Sequence, residues 1–225
     1  MIFALPKIVY TTESKYNGRI DVFEHKGHYR IAVGNTTQSL SPDAQHAIKG
    51  TWGKIADLVL VEHPAAREIL VLGLGGGTVV HLLSEKLPEA KITGVEIDSE
   101  MVDIAKKFFR LDSIPNLNLI VANAFGVLSD PQNYNLSEKS FDVVIIDIYH
   151  GEKFPDLGKS GAFFANLKKL VKPDGLVVFN RIYLEHHQVE VDEFADLLRQ
   201  FFTDVKKLLV AGRSNSDNIL IYGRA

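Results

Sequence analysis

The sequence predicts an α/β fold: a doubly wound, mostly parallel sheet with its last strand antiparallel, preceded by a small antiparallel β unit. Three observations predict it. The apolar strand Glu68-Ile-Leu-Val-Leu72 runs into the glycine loop Gly73-Leu-Gly-Gly-Gly77, which opens a helix near Thr78. A second strand, Lys91-Ile-Thr-Gly-Val95, ends in Glu96-Ile-Asp98, about 20 residues on, where such sheets carry an acid for a nucleoside. From Glu68 onward, strand-like and helix-like apolar patterns alternate, which gives a parallel sheet covered by helices on both faces.

Before Glu68 the patterning differs. Residues 7 to 35 alternate as strands, notably Arg19-Ile-Asp-Val-Phe23 and His28-Tyr-Arg-Ile-Ala-Val33, with Lys26-Gly27 as the turn between them. From Ser41-Pro42 the period lengthens, and Ile48, Trp52, Ile55, Ala56 and Val59 fall on one face of a linking helix that Pro64 ends. The expected units are therefore residues 1–40, a β-hairpin unit; 41–66, the linking helix; and 67–225, the cofactor-binding domain.

Within the main domain, a helix to about Glu85 follows the glycine loop. Another carries Met101, Ile104, Ala105 and Phe108 on one side. Next come the strand Leu117 to Val121, a short helix, and Phe141-Asp-Val-Val-Ile-Ile-Asp147, whose apolar centre suits a strand buried on both faces. Phe163, Leu167, Leu170 and Val171 mark a helix, Pro173-Asp-Gly175 a turn, and Leu176 to Asn180 a strand. After a helix with Val191, Phe194, Leu198 and Phe201, two strands, Val205 to Val210 and Asn218 to Tyr222, are joined by a loop short enough to require an antiparallel pair.

The loop chemistry points to an adenosine-containing cofactor. A Cβ at Gly73, Gly75 or Gly77 would obstruct a ligand approaching the backbone, and the helix starting near Thr78 offers N–H groups to an anionic group. Glu96 is placed to accept from ribose hydroxyls; the alternative is a solvated strand-end acid. NAD and S-adenosylmethionine sites share this logic. Thr78 stands where the dinucleotide pattern wants its third glycine, which tilts the reading towards S-adenosylmethionine.

Composition sets bounds. With 225 residues, 46% of them hydrophobic, the chain can bury one sizeable core. A formal charge of −3 and a pI near 6.2 argue against nucleic acid as the favoured partner. The absence of cysteine excludes disulfides, zinc–thiolate sites and cysteine nucleophiles. Without a signal-peptide core or an apolar run of about 20 residues, a cytoplasmic protein with no membrane partner is expected. His25-x-x-His28 and His186-His187 lack nearby acids or cysteines, so no metal is expected.

Several stretches together carry a family resemblance over nearly the full length. They are Gly18-Arg-Ile-Asp-Val22, Gln38-Ser39, His63-Pro64, the glycine loop, Val95-Glu-Ile-Asp98, Asn123-Ala124 and Asp147-Ile-Tyr-His-Gly-Glu-Lys-Phe-Pro155. The chain resembles the spermidine synthase-like branch of the class I S-adenosylmethionine-dependent methyltransferases, whose Rossmann-like sheet matches the layout above. The resemblance implies S-adenosylmethionine or its decarboxylated form as cofactor, a small-molecule acceptor and a homodimer. Two positions depart from true spermidine synthases. An aspartate inside their glycine loop, resembling a counter-ion for the amine of the decarboxylated cofactor, reads Gly76 here. A second aspartate, three residues after the strand-end aspartate, reads His150.

Charge gives the departures a direction. Intact S-adenosylmethionine presents a carboxylate that an aspartate would repel, so Gly76 favours methyl transfer over aminopropyl transfer. Aminopropyl transfer to a polyamine and a non-catalytic, cofactor-binding protein are the alternatives. The expected cofactor residues are Gly73, Gly75, Gly76, Gly77, Glu96, Ile97, Asn123, Ala124 and Asp147. Asn123 would meet the adenine edge or cap the next helix, and Asp98 equally could be a cap. Asp147, Tyr149 and His150 are the candidate catalytic residues, with local loop hydrogen bonding as the alternative for the last two. Tyr16 and Gln38 are the candidate substrate contacts, or packing residues of the β unit.

Overall fold

The computed structural model describes residues 5–149, 155, 161–183, 188–212 and 217–225. Four strands, β1 (Lys7–Ser14), β2 (Gly18–His25), β3 (His28–Val33) and β4 (Thr36–Leu40), form an antiparallel sheet in sequence order. Lys26 and Gly27 turn between β2 and β3 with φ of 52° and 82°, the paired left-handed conformation that matches strand twist in a two-residue hairpin.

The linking segment is two helices, α1 (Gln45–Lys49) and α2 (Thr51–Glu62), where the sequence reads as one. Gly50 between them is extended, with φ −88° and ψ −159°. The break takes α1 out of phase: Ile48, expected on the buried face, is 46% exposed, while Ile55, Ala56 and Val59 are buried.

Seven strands build the main sheet: β5 (Glu68–Leu72), β6 (Lys91–Glu96), β7 (Leu117–Val121), β8 (Phe141–Ile146), β9 (Val171–Tyr183), β10 (Thr203–Val210) and β11 (Asp217–Arg224). Their order is β10-β11-β9-β8-β5-β6-β7. The first five are parallel, and β11 lies antiparallel between β9 and β10. The expected turn at Pro173-Asp-Gly175 falls inside β9, which already begins at Val171. Asp174 has φ 62°, and the pairing jumps from Phe141 opposite Val171 to Val143 opposite Leu176, so the turn is a bulge.

Helices α3 (Thr78–Lys86), α4 (Ser99–Phe109), α5 (Ala124–Ser129), α6 (Ala162–Leu170) and α7 (Gln188–Leu198) complete the chain. Successive strand side chains point to opposite faces, and two cores result. Leu70, Leu72, Val144, Ile146, Val177 and Phe179 pack with α5, α6 and α7. Ile69, Val71, Val143, Ile145 and Val178 pack with α2 and α3. Helix α4 serves two layers, because Ala105 joins the second core while Met101, Ile104 and Phe109 meet Ile20, Val22 and Ile31 of the N-terminal sheet. The small sheet is thereby held over the carboxyl end of β6.

Phe164, fully buried, has the rings of Phe163, Phe179, Phe194 and Phe201 at 5.4–6.0 Å. Phe164→Ala should lower unfolding free energy by about 3–5 kcal/mol in urea denaturation; a loss below about 1 kcal/mol would contradict this core.

Candidate functional site at the carboxyl edge of the sheet

Strands β5, β6 and β8 end side by side, and each contributes backbone or an acid to one edge. Gly73 leaves β5 with φ +87°, and a Cβ there would lie 2.2 Å from the backbone oxygen of Asp147. Only glycine allows both the turn and this close approach.

Glu96 ends β6 and is buried. Its Oε2 accepts from the Leu74 and Gly75 N–H groups, each at 3.0 Å, and its Oε1 from those of Ile97 at 2.9 Å and Asp98 at 3.1 Å. A carboxylate has about four lone-pair sites, so this one is saturated by backbone. Burial pushes its pKa up, opposed by the Gly75, Leu74 and Asp98 N–H donors and aided by the Asp98 charge.

Asp98 does a parallel task for the N-terminal sheet. It is the N-cap of α4, accepting from Glu100 N–H, while its Oδ2 accepts from the Ser14 hydroxyl and from Asn17 Nδ2 at 2.5 Å. The turn carrying Tyr16 between β1 and β2 is thus tied to the end of β6. Tyr16 itself is 39% exposed.

The amides of Gly73 to Gly77 all have partners within the protein. Gly73 N–H donates to Val95 O, Leu74 and Gly75 to Glu96, Gly76 to Ser39 Oγ at 2.7 Å, and Gly77 to Leu74 O. Those without an intrahelical acceptor by position are Thr78 to Val80 in the first turn of α3. Gly76 also has a steric reason for its identity: an added Cβ would lie 2.8 Å from Ser39 Cβ and 2.9 Å from Ile31 Cδ1. Packing against Ile31 of β3 and Ser39 of β4 constrains this position to a small residue. Gln38, next to Ser39 on β4, lies against the loop, its carbonyl oxygen 3.1 Å from where a Gly75 Cβ would stand. Thr78 completes the seam, its hydroxyl donating to Leu40 O and accepting from Leu40 N–H.

Asn123 caps α5, its Oδ1 accepting from Phe125 N–H at 2.9 Å. One lone pair of that oxygen is committed, and a second remains. Ala124 is the first residue of the helix, so its N–H lacks an intrahelical acceptor.

Asp147 follows β8, partly buried, and differs from Glu96. Its Oδ1 accepts from Asn180 Nδ2 at 2.7 Å and its Oδ2 from Trp52 Nε1 at 3.2 Å. Both partners are neutral, and half of its acceptor capacity remains. Burial raises its pKa, Asn180 and Trp52 pull it down, and Glu96 adds a like charge. Tyr149 donates to Asn180 O at 2.8 Å and accepts from Ile182 N–H at 2.7 Å, a strut onto β9. Burial, with Asp147 nearby, raises its pKa well above the ordinary phenol value, so it is a poor proton acceptor near neutrality. His150 lies outside the described residues, as do His186 and His187.

Sequence reading missed Ser39 as a loop partner, and Trp52 and Asn180 as partners of Asp147. Asn180 left a signal: it ends the apolar run Leu176 to Phe179 at the edge where ligands of open α/β sheets sit. Among the described residues no group of three or more His, Asp or Glu side chains could hold a metal ion, and no helix is long and apolar enough to cross a membrane.

Glycine loop, strand-end acid and small N-terminal sheet define a Rossmann-like fold of the methyltransferase type. Residues 52–224 match the spermine/spermidine synthase domain, and the chain belongs to that family. It is 30% identical to the eEF1A lysine and N-terminal methyltransferase homolog of Drosophila melanogaster over 54% of this chain and 19% of that protein. It is 24% identical to polyamine aminopropyltransferase 1 of Aquifex aeolicus over 89% of this chain and 69% of that one. The fold matches a probable spermidine synthase from Corynebacterium glutamicum with a TM-score of 0.76 at 22% identity, covering 97% of this chain and 80% of that one. The matched region spans 19% of the fly protein, which extends well beyond it.

An acid whose pKa rises on folding binds more protons in the folded state, so it costs stability wherever it is ionised in both states. That cost vanishes below the unfolded value of about 3.9. Asp147→Asn should therefore raise the Tm at pH 7–8, with the gain closing as pH falls towards 4. A Tm lowered equally at both pH values would contradict the Asp147 environment.

Proposed function

We propose that the chain binds S-adenosylmethionine at the carboxyl edge of the sheet and transfers its methyl group to a small-molecule acceptor, leaving S-adenosylhomocysteine. One observation carries the choice of methyl transfer: Ser39 and Ile31 fill the space where a side chain at Gly76 would stand. The loop therefore has neither an acid for the lone cationic amine of the decarboxylated cofactor nor room for one.

The residues suit the intact cofactor. Gly73 to Gly77, with the first-turn amides of α3, would hold the amino-acid portion, and the positive end of the helix favours its carboxylate. Glu96 and Ile97 would hold the ribose, and Asn123 and Ala124 the adenine. Because Glu96 already accepts four N–H bonds, ribose hydroxyls would replace some of these donors. The bound cofactor supplies a methyl group activated by its sulfonium.

Asp147 then has the remaining task. Its unused acceptor capacity and raised pKa suit it to take a proton from the acceptor, while in-line positioning supplies most of the rate. A carboxylate with only neutral partners suits an amine acceptor. Lysine and polyamines, in the names of the two relatives, are both amines.

Aminopropyl transfer is the second reading, favoured by the family match over residues 52–224 and by the Aquifex relative over 89% of the chain. Calorimetric titration with S-adenosylmethionine, its decarboxylated form and methylthioadenosine separates the two. Intact S-adenosylmethionine should bind at least about tenfold more tightly than the decarboxylated form, a difference of about 1.4 kcal/mol. The reverse preference would establish the polyamine reading, and no binding of any of the three would overturn the cofactor assignment.

A further inference from the structure

Asp147 stands at one end of a chain of side chains drawn from α2, β11 and β9. Thr51 Oγ1 at the start of α2 donates to Asn218 Oδ1 of β11 at 3.0 Å, and Asn218 Nδ2 donates to Asn180 Oδ1 of β9 at 2.9 Å. Asn180 Nδ2 donates to Asp147 Oδ1 at 2.7 Å. Every bond points towards the carboxylate. That direction follows from chemistry: an ionised carboxylate only accepts, so Asn180 presents its NH2, and each amide upstream is oriented in turn.

We propose that Thr51, Asn218 and Asn180 form a reversible hydrogen-bond chain that positions Asp147 in both its ionised and its protonated state, with Trp52 holding the other carboxylate oxygen. The inference deepens the reading of Asp147 as proton acceptor and rests on it. When the acceptor's N–H bond breaks, its electron pair stays on nitrogen for the new bond to the methyl carbon, the methyl–sulfur bond breaks with its pair going to sulfur, and the proton goes to Asp147 Oδ1. The new O–H then donates to Asn180 Oδ1. A half-turn of each amide lets Asn180 Nδ2 donate to Asn218 Oδ1, and Asn218 Nδ2 to Thr51 Oγ1, which can donate or accept. No proton travels along the chain. Trp52 Nε1 donates to Oδ2 throughout, because that oxygen accepts in either state.

Both members of the amide pair are needed. A single donor fixed towards Asp147 would favour the ionised form alone, and after proton transfer it would leave a carboxylic O–H without an acceptor. The ionisable group that acts on Asp147 is Glu96 from β6; Asp147 in turn acts on Tyr149, just after β8, as does Arg181 of β9. Trp52 and Asn218, from α2 and β11, bring no charge.

Trp52 is the sole tryptophan, so its fluorescence reports on Asp147 directly. In the parent protein, tryptophan emission and the side-chain amide NMR signals of Asn180 and Asn218 should titrate with one shared midpoint, and all three transitions should vanish in Asp147→Asn. Asn218→Asp cannot donate to Asn180 Oδ1 and should move the midpoint up by about one pH unit or more, tenfold in proton affinity. Amide signals that stay still while Trp52 titrates would overturn the proposal, as would a transition surviving in Asp147→Asn or none between pH 4 and 9. The parent measurement stands even if a variant fails to fold. Neither cofactor nor acceptor is present, so failure here is separate from failure of the methyl-transfer reading, which calorimetry tests.

Discussion

The acidic pair at the end of β6 is the constraint on which the site depends. Glu96 gathers four backbone N–H groups, two from the glycine loop and two from the residues just after β6, and Asp98, two residues on, gathers the turn of the N-terminal sheet and the start of α4. Hydrogen bonds to a charged group contribute about 1.5–3 kcal/mol each, enough to offset much of the cost of burying the carboxylate. One strand end therefore fixes the loop, the helix after it and the sheet above it.

Two acids a few strands apart are given different work by their partners. Glu96 is saturated by backbone and is part of the scaffold. Asp147 is half satisfied, by neutral side chains only, and keeps acceptor capacity to spare. The division follows from neighbours rather than residue type, since both groups are pushed up by burial. Between them, β4 closes over the loop, with Ser39 taking the Gly76 amide and the space a side chain would need.

Features set by local pattern were legible in the sequence. The strands β5, β6 and β8, the glycine loop and the antiparallel end of the sheet follow from apolar period, glycine placement and loop length. What was not legible was set by contacts distant along the chain. The apolar pattern from Ile48 to Val59 runs through Gly50 unbroken, yet an extended glycine there splits the helix and exposes Ile48. Gly76 invited an electrostatic explanation, because its steric partner Ser39 lies 37 residues upstream. Trp52, Asn180 and Asn218 meet only because α2, β9 and β11 converge beside the end of β8, and no spacing in the sequence announces that.

The claim that a buried carboxylate shapes the glycine loop before any ligand arrives is open to a direct measurement. Amide hydrogen exchange of the ligand-free protein reports on Leu74, Gly75, Ile97 and Asp98, whose N–H groups Glu96 accepts. All four should exchange slowly in the parent protein and rapidly in Glu96→Gln, whose single amide oxygen cannot serve four donors. Fast exchange at these amides in the parent, or unchanged protection in the variant, would contradict the account.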